Sequence, residues 1–166
     1  MRRLATALAL AAFAGPSWSQ PPALRSQVTP DGAVLVAMGE QVTVRLPVDG
    51  PPVLVSAEVA PAGAAAPPRP GQGAFEDAPE GSVVITLQRS GDAEVMMKVL
   101  SGVSKAFDYR ARLLPEGDPV GVCTVLPLLQ NYERWQNQGP ASGILLTGFE
   151  FRDTNEVVCP QPQEAK

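Results

Sequence analysis

The sequence predicts an all-β fold, an antiparallel two-sheet β-sandwich of immunoglobulin-like type. Three observations predict it. Short runs of apolar and polar residues alternate with a period of two along most of the chain. Proline- and glycine-rich turns separate these runs every few residues. Only one stretch has the spacing of a helix, and it is short. The count is seven to nine short strands with at most one short helix. The Cys123 to Cys159 spacing does not match the immunoglobulin cysteine–tryptophan–cysteine order, so membership of that family does not follow.

The chain opens with Met1-Arg2-Arg3, an apolar run of 11 residues, and then Gly15-Pro16-Ser17-Trp18-Ser19-Gln20. A basic start, a short apolar middle and small residues before a cut after Ser19 are the order of a secretory signal peptide. A membrane-spanning helix needs roughly 20 apolar residues, so residues 1–19 are expected to be removed and not to remain as an anchor. Residues 20–32 read as a flexible leader, 33–160 as a single β-sandwich domain and 161–166 as a polar tail. No second long apolar stretch follows, so no transmembrane segment is expected in the mature chain.

The elements follow in order. The apolar run at 33–38 ends at Gly39-Glu40. Val42, Val44 and Leu46 then alternate with Gln41, Thr43 and Arg45, the pattern of a strand with one buried face. Pro47 and Asp49-Gly50-Pro51-Pro52 supply turn chemistry. Val53, Val55, Ala57 and Val59 are expected to share one face of the next strand. Residues 61–81 carry many prolines and glycines and no period, and read as a solvent-exposed spacer. Val83, Ile85 and Leu87 begin a second group of strands, joined through Arg89-Ser90-Gly91-Asp92 to Val95, Met97 and Val99. In the run 105–113, Phe107, Tyr109, Ala111 and Leu113 share a face opposite Asp108, Arg110 and Arg112. Residues 120–126 are apolar on both faces and predict a central strand. Residues 128–138 are the possible helix, with Leu128, Leu129, Tyr132 and Trp135 three or four apart, confined by Pro127 and Gly139-Pro140. In the last strand, 142–152, the apolar parity changes from Ile144 and Leu146 to Phe149 and Phe151. Gly148 stands at the break, which predicts a β-bulge.

Composition narrows the function. There are 13 lysines and arginines, 17 acids and no histidine, and loss of Arg2 and Arg3 makes the mature net charge about −6. An acidic domain without a basic run is a poor ligand for nucleic acid or anionic membrane. Without histidine, serine- or cysteine-histidine catalysis and histidine metal sites are closed. Cys123 and Cys159 are expected to form a disulfide in an oxidising compartment, so the protein is expected to be periplasmic or secreted. The abundance of Ala, Pro, Gly and Arg over Lys reads as the bias of a GC-rich bacterial genome.

Chemical candidates remain few. Glu76, Asp77 and Glu80 form the densest acidic cluster, but nothing in the sequence orients them for acid–base work or gives them calcium-loop spacing. Met96 and Met97 are strand neighbours on opposite faces, which opposes a methionine metal cage. No catalytic residue, metal or cofactor is therefore expected. Two binding candidates are left. Asp108, Arg110 and Arg112 form an outward stripe able to grip a carboxylate or sugar acid. Tyr132 and Trp135 are contact-prone aromatics, or else caps of the core.

The segment Phe107-Asp108-Tyr109 through Cys123-Thr124-Val125-Leu126-Pro127, then Glu133-Arg134-Trp135 and Cys159, resembles small exported proteobacterial proteins of unknown function. The resemblance covers roughly the last 60 residues and implies export but no activity. The expected function is a non-enzymatic binding or structural sandwich whose partner is an envelope protein, a saccharide or a small ligand. The alternative is a carboxylate-based hydrolase acting on envelope saccharides.

Overall fold

A computed structural model describes residues 24–68, 76–115, 117 and 119–159. The expected signal peptide, the first residues of the leader and the polar tail lie outside the described residues. Ten strands follow one another: β1 Gln27–Val28, β2 Val34–Ala37, β3 Glu40–Arg45, β4 Val53–Val59, β5 Ser82–Ser90, β6 Glu94–Ser101, β7 Phe107–Leu114, β8 Pro119–Val120, β9 Gln130–Trp135 and β10 Gly143–Phe151. They form two five-stranded sheets, ordered β1-β2-β10-β7-β8 and β4-β3-β5-β6-β9. Every pairing is antiparallel. The two-sheet β-sandwich expected from the sequence is the fold, and no helix occurs among the described residues.

The alternating positions make the core. Val42 and Val44 of β3 lie opposite Ile85 and Val83 of β5, and Ile85 and Leu87 lie opposite Val99 and Met97 of β6. Phe107, Tyr109, Ala111 and Leu113 of β7, with Ile144 and Leu146 of β10, face them from the other sheet. Burying each such side chain contributes roughly 1.5–3 kcal/mol, which is why a period of two fixes which face turns inward. The bulge stands where the parity change places it. The β10–β7 register shifts between Thr147 and Glu150, and Gly148 takes a left-handed φ of 62°. The extra residue brings Phe149 and Phe151 onto the core side with Ile144 and Leu146.

Three expectations are corrected. The end of the leader is part of the sheet, since Gln27–Val28 pairs with β2 and the Ser26 hydroxyl accepts the Ala37 amide at 2.8 Å. Residues 128–138 are not helical. Leu128 has a left-handed φ of 54°, which no helix start tolerates, and the next residues pair with β6 as the edge strand β9. The central strand expected at 120–126 is reduced to the short β8 and a single bridge, Val125 to Phe107. Between them the Cys123 amide is held by Glu133 and the Cys123 side chain by Cys159, so the chain leaves the ladder.

The exposure expected of residues 61–81 holds over most of their described length, but the segment is also fastened to the second sheet. β4 and β5 both pair with β3, so they run parallel and their connection must return along the sheet. Its described parts pack on the outer face of the second sheet. Ala65 is fully buried, and its amide donates to Gln88 Oε1 at 3.0 Å. Glu76 Oε2 accepts from Lys98 Nζ at 2.8 Å. Glu76 therefore lies over Lys98, which is 3% exposed although it points away from the core, and the outward Thr86, 0% exposed, donates to Gln41 Oε1 at 3.1 Å.

Candidate functional site

The two aromatic candidates separate once residues 130–135 are a strand. Trp135 lies opposite Val95, on the core side, and packs against the core. Tyr132 lies opposite Lys98, on the outer side. A spacing of three unites residues on a helix and divides them on a strand. Trp135 Nε1–H donates to the Gly121 carbonyl at 3.1 Å. Tyr132 donates to Gln130 Oε1 at 2.8 Å, and partial burial, with the charge of Glu76, raises its phenol pKa. They are not one contact patch.

Beside Trp135 the inward side of β9 carries a half-buried carboxylate, Glu133. It accepts the Cys123 amide at 2.8 Å and Asn131 Nδ2–H at 3.0 Å. Burial outweighs these two bonds and pushes its pKa above the usual glutamate range. The hydroxyl of Tyr109 is buried without a hydrogen-bond partner among the described residues. Its pKa is raised, first by burial and then by the charge of Glu133.

The stripe Asp108, Arg110 and Arg112 does share the outer face of the first sheet, as its alternation predicts. Asp108 is engaged internally. It accepts Thr124 Oγ1–H at 2.6 Å and pairs with Arg152 at 2.9 Å. Thr124 in turn exchanges bonds with Val158, next to the disulfide that joins Cys123 to Cys159. Asp108 therefore anchors the C-terminal segment. Arg110 and Arg112 stay exposed, opposite Thr147 and Leu145, without an ion pair among the described residues.

Two features escape the sequence. The first is the edge strand β4. Its ladder with β3 shifts register between Thr43 and Val44, so Val44 lies opposite Leu54 whereas Val42 lies opposite Ala57. The valines expected on one face are split by this bulge. Among the described residues no strand pairs with β4 on its outer side, and Val53, Val55 and Val59 are 52%, 55% and 85% exposed. The Ala60 amide donates to the Gly39 carbonyl at 2.8 Å. Alternation from that bond turns the main-chain groups of Ala57 and Val59 to the open edge. The second feature is a recess of about 620 Å³ at one end of the sandwich, between the turn at Asp31-Gly32, the loop 46–52 and the bulged end of β10. Its signal in the sequence is the glycines. Gly32, Gly50 and Gly148 all line it with φ of 81°, 127° and 62°.

Among the described residues no helix is long and apolar enough to cross a membrane. The chain matches no family model, no curated protein and no solved structure.

Proposed function

We propose that this protein is an exported, non-enzymatic binding module of the periplasm or cell exterior, which takes a polypeptide partner by strand addition at β4. The observation that carries the reading is the open edge of β4. Natural sandwiches blunt such edges with charges, prolines or a covering loop, because an unpaired ladder invites another strand. Here Glu58 is the only charge in the strand, and the segment from Ser56 to Val59 lies beyond the bulge. Main-chain bonds would supply affinity and the exposed valines a surface for alternate side chains of the partner.

Export rests on the order of residues 1–19 and on the disulfide, which suits an oxidising compartment. Intact mass of protein from the periplasm or medium should match a chain starting near Gln20. Recovery of all 166 residues from the membrane fraction would overturn export. The hydrolase alternative needs two carboxylates converging on a cleft. Glu133 is the acid with a burial-raised pKa, and its partners are an amide and Asn131, not a second acid.

Strand addition is tested with a photo-activatable residue at position 59 of the full chain in its producing cells. An adduct with one partner protein is expected there, and none when the same residue replaces Arg112. Equal adducts at both positions, or none at 59, would remove β4 as the contact.

A further inference from the structure

We infer that the recess beside β10 is a second, separate binding site, for an extended peptide carrying a basic side chain, seated as an added strand on the Phe149 to Phe151 edge. The pairing of β10 leaves this edge open. β2 accompanies β10 only from Gly143 to Leu146, whereas β7 follows it to Phe151. The chain of β2 has by then turned away through Gly32 and Asp31. What remains is a stretch of sheet edge walled by loops.

The main chain there turns away from β7. Phe107 exchanges both of its backbone bonds with Val125, each at 3.0 Å, on the far side of β7. It is therefore not hydrogen-bonded to Phe151, its neighbour across the ladder. The Arg152 amide donates to the Ala106 carbonyl at 2.8 Å, which sets the same parity. The main-chain groups of Phe151 accordingly face away from β7, and Phe149 stands in the bulge beside them. No backbone bond from the loop 46–52 or the turn at Asp31-Gly32 reaches them among the described residues.

The lining mixes apolar side chains with polar groups. Leu46, Pro47, Pro51, Phe149 and Phe151 line the recess together with the carboxylates of Asp31 and Glu150. The volume of about 620 Å³ lies within the roughly 300–1,000 Å³ of ordinary ligand sites. Glu150 lies directly opposite Asp108, a like-charge pair that destabilises a ladder unless cations answer it. Arg152 answers Asp108, and Glu150 has no ion pair among the described residues. Asp31 is bound by the Thr29 hydroxyl at 2.5 Å, which favours its charged form. Two carboxylates among apolar side chains, in an acidic protein, favour a cation on an apolar stem. The walls are also built to shape. A Cβ on Gly32 would lie 3.2 Å from the Cβ of Pro51, so the turn and the loop meet closely at a residue only glycine suits.

The test uses the purified full chain and three probes: the acetylated, amidated peptide Val-Lys-Val-Lys-Val, its Glu counterpart, and n-butylammonium as a free cation. Binding is followed by backbone amide shifts and by calorimetry. The lysine peptide is expected to bind and to move the Phe149 and Phe151 amides, whereas the Glu peptide does not bind. Butylammonium should bind at least about tenfold more weakly, because it lacks a main chain to pair. The double variant Asp31→Asn with Glu150→Gln, both at exposed rim positions, should weaken the lysine peptide by about tenfold. Val59→Lys should leave this binding unchanged, which separates the recess from β4. Equal binding of the Lys and Glu peptides, an unaffected double variant, shifts confined to β4, or no binding of either peptide would each overturn the site. Butylammonium binding as tightly as the peptide would overturn strand addition.

Discussion

The second sheet ends in β4 on one side and β9 on the other, and the two edges are finished differently. Along β9 the chain segment 121–123 runs beside the strand and takes the Trp135 indole and the Glu133 carboxylate. A disulfide holds that segment to the C-terminal residues, and Thr124 and Asp108 reinforce it. Along β4 no strand or disulfide-held segment is paired on the outer side among the described residues, and valines stand in solvent. An edge that only had to avoid aggregation would be expected to resemble β9. Among the described residues the guard is built on one edge only, and the proposed strand addition takes the other.

The largest expected effect comes from releasing the guard of β9. Cys123→Ser opens a link between residues 36 apart in sequence, and the chain-entropy loss corresponds to roughly 3–4 kcal/mol. In a domain of this size that lowers the melting temperature by about ten degrees. Thermal denaturation without reductant measures it, and thiol titration of the unfolded, unreduced wild type should find none. A variant as stable as wild type would mean that the disulfide does not hold this edge.

Trp135→Ala comes next. A fully buried tryptophan costs about 3–5 kcal/mol to truncate, and Trp135 is half-buried, so about 2 kcal/mol is expected by urea denaturation. A change within 0.5 kcal/mol, the range of ordinary surface positions, would return Trp135 to the list of free contact residues. Tyr109→Phe should act in the opposite direction. It removes a buried hydroxyl that has no partner among the described residues, and stability should rise by about 1 kcal/mol. Loss of stability in that variant would show that the hydroxyl is bonded in solution.

Glu133 gives the smallest of these effects, and its sign is set by pH. Its folded pKa lies above its unfolded one, so the folded state binds the proton more tightly. Its contribution is fully favourable at low pH, below the unfolded value, and is lost as pH rises through the folded value. Glu133→Gln keeps an acceptor for the Cys123 amide and has no charge to bury. The variant should therefore be slightly more stable than wild type near neutral pH, and the gap should close below the ordinary glutamate range. Parallel denaturation curves across that interval test it. A gap that widens on acidification would mean that Glu133 is stabilised as the anion.

The architecture was readable because burial acts on alternate residues. Val42, Val44, Val83, Ile85 and Leu87 are buried as their parity predicts, and Gly148 marks the bulge at which the parity of β10 changes. What the sequence could not show depends on partners distant along the chain. Spacings of three and four at Leu128, Leu129, Tyr132 and Trp135 fit a helix, and only pairing with β6 makes the segment a strand. Likewise, nothing local in β4 reveals the extra residue at its bulge, which is defined against β3. Lys98 looks like a surface residue until Glu76, from 22 positions earlier, is placed over it. Of the candidate binding residues, Arg110 and Arg112 keep the outward position that alternation predicts. Asp108 keeps that outer face but is taken up by Thr124 and Arg152, and Trp135 turns to the core side; no single-strand pattern carries that information.

The most direct test of the open edge is Val59→Lys, a gatekeeper charge placed where the exposed valine stands. Chemical denaturation should place the variant within about 0.5 kcal/mol of wild type, because the side chain is already in water. With the photo-activatable residue moved to position 57, where the main chain faces the same edge, wild type should give the partner adduct and the Val59→Lys chain should lose it. An adduct of undiminished yield from the stable variant would contradict strand addition at β4.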